Sequence, residues 1–350
     1  MRWLATLCGV RFERKPVGVF PDPNSETAEA YVTSNAAAKP KDSLFAVTVT
    51  SIEDDSPNTK LITLVVVNDK SKFAFRPGQW VDFHAPGVLK PGGYSIASSP
   101  GRFVKDATFQ LAIRESRSSH CAHWVHEKCK KGDEAKVRVG GKFFASALDL
   151  EHPLVLVAGG IGIAPILGML QTFLEEQLGS NPGDTTKQKV RVVLLCSTKN
   201  PQTQPMLPEI LSAVRNANGA VKCVFHRTDG GASSEENKNT EHDNQACEEN
   251  KFKGKEYASC DEHKNKDKNK NKNKNKNKNK TRDATENVSV KKGRIERESL
   301  RDALIALRSS GGKKQPIAFL CGPPALSDAT ETSLLTLGVP KEDLRLERWW

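Results

Sequence analysis

The stretch Leu154 to Leu174, LVLVAGGIGIAPILGMLQTFL, limits the possible folds of this chain more than any other. Leu154 to Ala158 is a short apolar run with glycines directly behind it. A strand that is apolar on both faces belongs inside a parallel sheet, with helices over each side. Ile166 to Gln177 then repeats apolar residues at helical spacing and stops near Gly179. Between strand and helix stands Gly159-Gly160-Ile161-Gly162-Ile163-Ala164-Pro165. A glycine-rich turn of this kind lets backbone N–H groups approach a diphosphate, and the helix N-terminus adds its positive dipole end. Pro165 replaces the third glycine of the dinucleotide fingerprint, so the turn reads GGxGxxP, and taken alone it serves equally well for tight packing. The stretch does not read as a membrane span, because glycines and Pro165 interrupt it and Glu175 and Glu176 follow at once.

The chain has 350 residues, enough for two domains with separate cores. Only 37% of them are hydrophobic, so a sizeable part is expected to stay unpacked. The net charge is +11, but Lys264 to Lys280 alone carries nine lysines against Asp267. The basicity is therefore local and does not suggest a nucleic-acid partner. Eight scattered cysteines without a C-x-x-C pair point to free thiols in a reducing compartment.

Residues 1–40 form an N-terminal extension. Arg2, Arg11, Arg14 and Lys15 face one acid, Glu13, with Trp3, Leu4, Leu7, Val10 and Phe12 interleaved. This resembles a mitochondrial presequence, with a cytoplasmic location as the alternative. Residues 41–150 read as β structure: Leu44 to Ile52, Lys60 to Val67, Gln79 to His84, Thr108 to Ile113 and Ala135 to Val139, with a short helix over His120 to Lys130. The spacing of these five strands predicts a small antiparallel barrel. Residues 151–350 alternate strand and helix, as in an α/β domain with a parallel sheet. After the central strand and helix come a strand at Val190 to Cys196, a helix at Leu207 to Val214 and a strand at Val221 to His226. Residues 229–292, polar and containing a Lys/Asn repeat, interrupt this domain as a disordered insertion. The pattern resumes with a helix over Glu296 to Arg308, a strand at Ile317 to Leu320 and a helix near Ala325 to Leu337.

Four stretches occur in order: Arg76-Pro77-Gly78-Gln79-Trp80-Val81, Gly93-Tyr94-Ser95-Ile96-Ala97-Ser98-Ser99-Pro100, the GGxGxxP turn, and Cys321-Gly322-Pro323-Pro324. Together they resemble the ferredoxin–NADP reductase superfamily, which includes cytochrome b5 reductase. The resemblance implies a six-stranded antiparallel FAD-binding barrel followed by a parallel-sheet nicotinamide-nucleotide domain. It implies that Tyr94 stacks on the flavin, that the Ser95 hydroxyl lies near the flavin N5, and that Ile96 belongs to the same flavin contact. His123 stands where relatives carry a flavin-phosphate Ser or Thr, and Trp349 or Trp350 would cover the flavin face. Gly159, Gly160, Gly162, Ile163 and Pro165 would hold the NAD diphosphate. Cys321, with Gly322 and Pro323 behind it, would sit beside the nicotinamide, and Glu347 would supply a nearby carboxylate.

The implied activity is hydride transfer from NAD(P)H to bound FAD, with electrons passed on to a separate acceptor. NAD(H) is the expected nucleotide and NADP(H) the alternative, since Cys196-Ser197-Thr198-Lys199-Asn200 contains no acid for a ribose 2′-hydroxyl. A catalytically weak relative that serves as a nucleotide-binding sensor or scaffold is the competing reading. Relatives carry Arg-x-Tyr-Ser where this chain has Gly92-Gly93-Tyr94-Ser95, so weak FAD binding is expected, and an arginine at position 92 is expected to tighten it. No metal is expected: His120, His123 and His126 fan too widely round a helix and no acid joins them.

Overall fold

Two six-stranded sheets lie side by side along the chain. The computed structural model describes residues 44–68, 70–177, 189–228, 284–311 and 314–348. The presequence expectation for residues 1–40, the Lys/Asn repeat, and the roles given to Trp349 and Trp350 fall outside the described residues.

The first sheet is antiparallel. It is built from β1 (Phe45–Ser56), β2 (Thr59–Val66), β3 (Trp80–His84), β4 (Gly92–Ser95), β5 (Thr108–Arg114) and β6 (Glu134–Gly140), in the order β4-β3-β6-β1-β2-β5. Period-2 alternation selects the inner face: Val81 and Phe83 of β3 are fully buried, whereas Trp80, Asp82 and His84 stay half-exposed. Phe73 stacks on Phe109 with ring centroids 5.2 Å apart, at the centre of an aromatic cluster. The sheet's two ends approach just past β4, where Ile96 bridges Leu111 of β5 and the Ala97 amide donates to the Gln110 carbonyl at 2.8 Å, rather than along the closing ladder of a full barrel. The reason lies just beyond that bridge. Pro100 has no N–H to pair, and Ser99 instead caps α1 (Pro100–Asp106) by accepting the Arg102 amide at 3.2 Å.

The second sheet is parallel throughout, in the order β10-β9-β8-β7-β11-β12. Its strands are β7 (Leu154–Gly159), β8 (Val192–Thr198), β9 (Val221–Arg227), β10 (Val288–Lys292), β11 (Ile317–Cys321) and β12 (Leu344–Glu347). Within β7, Leu154, Leu156 and Ala158 pack towards α4 (Ile163–Gln177) and α5 (Leu207–Asn216). Val155 and Val157 pack towards α6 (Arg297–Ser309) and α7 (Pro324–Thr336). Short helices α2 (His120–Glu127) and α3 (Ala147–Leu150) complete the described set.

Three boundaries differ from expectation. Strand β10 lies inside the segment expected to be unstructured, pairing Val288–Lys292 with Cys223–Arg227. It is an exposed edge strand, so composition alone hides it. Strand β1 runs on through a bulge to Ser56, past the end expected at Ile52. Helix α4 begins at Ile163, because Pro165 is compatible with the first helical turn.

Candidate functional site

The chain leaves β7 towards β8, β9 and β10 on one side and returns through β11 and β12 on the other. The C-terminal ends of β7 and β11 therefore flank a topological switch point, where open α/β sheets bind ligands. At one end stands the glycine turn: Gly159 closes β7, Gly160–Gly162 forms a single 3₁₀ turn, and α4 follows. At the other end, Cys321 closes β11 and Gly322-Pro323 leads into α7.

The glycines do different work. A Cβ on Gly162 would stand 2.2 Å from the Cys321 carbonyl oxygen, and one on Gly159 would stand 2.6 Å from Pro323 Cδ. Both are glycine because the two strand ends touch. Gly160 has φ +55° and nothing within 4 Å of where its Cβ would be, so it is glycine for conformation and leaves open space above the turn. Its carbonyl accepts the Ile163 amide and lies 3.4 Å from Gln204 Nε2.

The first sheet supplies the opposite wall. Gly93, Tyr94 and Ser95 of β4, Ala112 and Arg114 of β5, and Ser116 face the turn across a cleft of about 400 Å³. The Tyr94 hydroxyl lies 3.2 Å from Ser119 Oγ, which also caps α2 by accepting the Ala122 amide. The Tyr94 ring meets Phe83 edge-on at 6.2 Å. Burial pushes the phenol up to about 12, so it stays protonated. Ser95 is buried and lines the cleft beside it.

Of the residues singled out from sequence, the cleft brings together Tyr94, Ser95, Gly159, Gly162, Pro165, Cys321, Gly322 and Pro323. Gly160 and Ile163 shape the turn, Ile163 being fully buried below it. Glu347 is paired in register with Cys321 on the neighbouring strand. Burial, and then the Glu347 carboxylate, push the Cys321 thiol far above its usual range.

Two expected flavin contacts lie elsewhere. Ile96 is fully buried in the first core, and its amide is taken by the Gln79 carbonyl at 2.9 Å. His123 is exposed on α2 and does not line the cleft. His126 Nε2 lies 3.0 Å from the Ile113 carbonyl oxygen. Among the described residues no group of His, Cys, Asp or Glu is arranged to hold a metal.

Arg114 was missed. It sits one position past the strand read from sequence as ending at Ile113, and strand-end cations are too common to stand out. Gly92 also has a use that its sequence context does not reveal. A Cβ there would lie 2.6 Å from the Tyr94 ring, so the glycine makes room for the folded-back tyrosine.

A profile of the family described as "Ferric reductase NAD binding domain" matches residues 152–334. The chain is 28% identical over 304 residues to "Oxidoreductase NAD-binding domain-containing protein 1" of Xenopus tropicalis, covering 86% of this chain and 78% of that protein. Among solved structures, the flavohem-like FAD/NAD binding domain of nitric oxide dioxygenase from Vibrio cholerae O1 biovar El Tor superposes with a TM-score of 0.56 at 16% identity, covering 87% and 98% of the two chains. A ferredoxin NADP+ reductase from Neisseria gonorrhoeae with bound FAD and NADP gives 0.55 at 15% identity, covering 89% and 100%. The chain thus shares the ferredoxin–NADP reductase-type fold. Among the described residues no helix is long and apolar enough to cross a membrane.

Proposed function

The chain belongs to the ferric reductase NAD binding domain family, and from that premise we propose that it is an NAD(P)H-dependent flavin oxidoreductase. It takes hydride from a nicotinamide nucleotide onto FAD and passes electrons to a separate acceptor. One observation carries this reading: Tyr94 and Ser95 of the first sheet line the same cleft as Gly162 and Cys321 of the second. Two dinucleotides held from opposite walls of one cleft would present their reacting rings to each other, which is most of what hydride transfer asks of a protein.

The donor set fits both groups. The open space above Gly160 and the N-terminus of α4 suit a diphosphate, and Arg114 offers a cation to a second anionic group across the cleft. FAD supplies the ring nitrogen that accepts hydride. Tyr94 gives an apolar face held in place by Ser119, and Ser95 offers a hydroxyl donor. Cys321, neutral at physiological pH, acts by contact and not as a nucleophile. The end of β8, Ser197-Thr198, is followed by Lys199-Asn200 and has no acid to select NADH, so both nucleotides belong in the test.

The test is an absorbance spectrum of protein incubated with FAD, followed by anaerobic addition of NADH or NADPH. Bleaching of bound flavin by either nucleotide is the expected result. Protein that binds NADH but takes up no flavin at any concentration overturns the reductase in favour of a nucleotide sensor.

A further inference from the structure

The β1–β2 hairpin carries a carboxylate that the cleft does not use. Asp54 pairs with Lys60 and Ser56 with Thr59, so Asp55 is the extra, unpaired residue of a bulge. Bulges re-aim side chains. Here the bulge sends Asp55 across to the other sheet, where both carboxylate oxygens accept the Met206 amide, at 3.1 and 2.9 Å. Met206 is fully buried and holds φ +59°, a left-handed conformation that is strained for a non-glycine residue. Backbone strain of this kind persists only where surrounding contacts impose it, and the grip of Asp55 is such a contact.

Two residues before Met206, the buried Gln204 points its Nε2 at the Gly160 carbonyl oxygen, 3.4 Å away, and at the Pro205 carbonyl oxygen, 3.3 Å away. Gly160 is the residue of the glycine turn with the positive φ. A continuous polar connection therefore runs from the hairpin of the first sheet to the turn at the switch point of the second.

We propose that Asp55 is a positioning residue for that turn, fixing it through the Met206 backbone and the Gln204 side chain. The inference rests on reading the turn as the nicotinamide-nucleotide site. Asp55 does not line the cleft. It sets the attitude of the Gly160–Gly162 segment relative to the sheet that carries Tyr94 and Ser95. The same contact also caps the N-terminus of α5, and a cap with no further role would change melting temperature alone.

Hydrogen exchange over the peptide 157–166 and equilibrium NADH and NADPH titrations separate the two roles. In the full chain, Asp55→Ala is expected to speed exchange at Gly160–Gly162 and weaken nucleotide binding roughly three- to tenfold. Asp55→Asn keeps a carbonyl acceptor for the Met206 amide and is expected to restore both. Gln204→Ala breaks the connection at its other end without touching the hairpin, and should reproduce the Asp55→Ala effect. The double variant should be no worse than the poorer single one. Wild-type exchange at the turn in both alanine variants, with only melting temperature lowered, overturns the proposal. So does an asparagine variant as impaired as the alanine. Should Asp55→Ala not fold, Gln204→Ala decides the matter by the same two readouts. If the wild-type chain binds neither nucleotide, the functional reading fails, while exchange at the turn still tests the link from Asp55.

Discussion

At Gly92 a single residue changes how the first-sheet wall of the cleft is filled. The motif comparison treats it as a lost arginine. The structure shows the Tyr94 ring lying where a side chain at position 92 would begin, with its hydroxyl tied to Ser119. Gly92→Arg must displace that ring, so it is expected to weaken FAD binding, which is the reverse of what the motif alone suggests. On the proposed reading the cation for the flavin phosphates is Arg114, which lines the cleft from a different strand. Arg114→Ala removes a charge-assisted bond worth roughly 1.5 kcal/mol and should raise the FAD Kd about tenfold in fluorescence titrations. An unchanged Kd would assign Arg114 to solvent. Cys321 is tested separately. Its thiol stays protonated, so iodoacetamide at pH 8 should leave it unmodified in the folded protein. Cys321→Ala should slow flavin reduction in stopped flow and change the nucleotide Kd little, because the turn is untouched. An equal reduction rate would make Cys321 a packing residue only.

At the scale of elements, the glycine turn and the insertion show what could be read from sequence and what could not. The strand–turn–helix from Leu154 onward was legible because its apolar run, its glycines and its helical period agree. Why each glycine is there was not legible, since Gly162 answers to Cys321, more than 150 residues away. Gly162→Ala drives a Cβ into backbone and should lower the melting temperature by several degrees, whereas Gly160→Ala meets no atom and costs only its strained φ. Equal melting temperatures would contradict this assignment. Strand β10 escaped notice because an exposed edge strand buries almost nothing: Ser289, Val290, Lys291 and Lys292 are all exposed. The insertion can therefore be cut in two ways with different results. Residues 229–283 can be replaced by a linker of about fifteen residues, since a parallel connection must run back along the sheet. Calorimetry should then show little change. Cutting on through Lys292 removes β10, bares the β9 edge and should produce lower melting and aggregation. Asp55 was equally hidden, because it reads as one more turn acid until the bulge and its partner are seen.

For the whole molecule, the cleft depends on how the two sheets are held together, and part of that contact is acidic. The end of α4 reaches the first sheet, where the Ser99 hydroxyl donates to Glu175 at 2.5 Å and the Ser99 amide to Gln171 at 3.0 Å. Burial raises the Glu175 carboxyl above its usual range, although the Ser99 bond pulls the other way. Glu176 beside it is pushed up to about 7, first by burial and then by the charge of Glu175. A carboxyl whose folded pKa is raised contributes stability that is fully present below its unfolded value and is lost as pH rises through the folded one. For Glu176 that window runs from about 4.5 to about 7, so this group makes the molecule less stable as pH climbs towards neutrality. Glu176→Gln removes the cost of holding a charge there. Because the site is partly exposed, solvent screening keeps the gain on the order of 1 kcal/mol, which corresponds to about 2–4 °C for a molecule of this size. Melting curves of the two proteins should coincide near pH 4.5 and separate by pH 8, with the glutamine variant the more stable. A constant offset at all pH values would mean that packing, and not ionisation, distinguishes them. A glutamine variant that is less stable at pH 8 would mean that the charge on Glu176 favours the folded protein instead of opposing it.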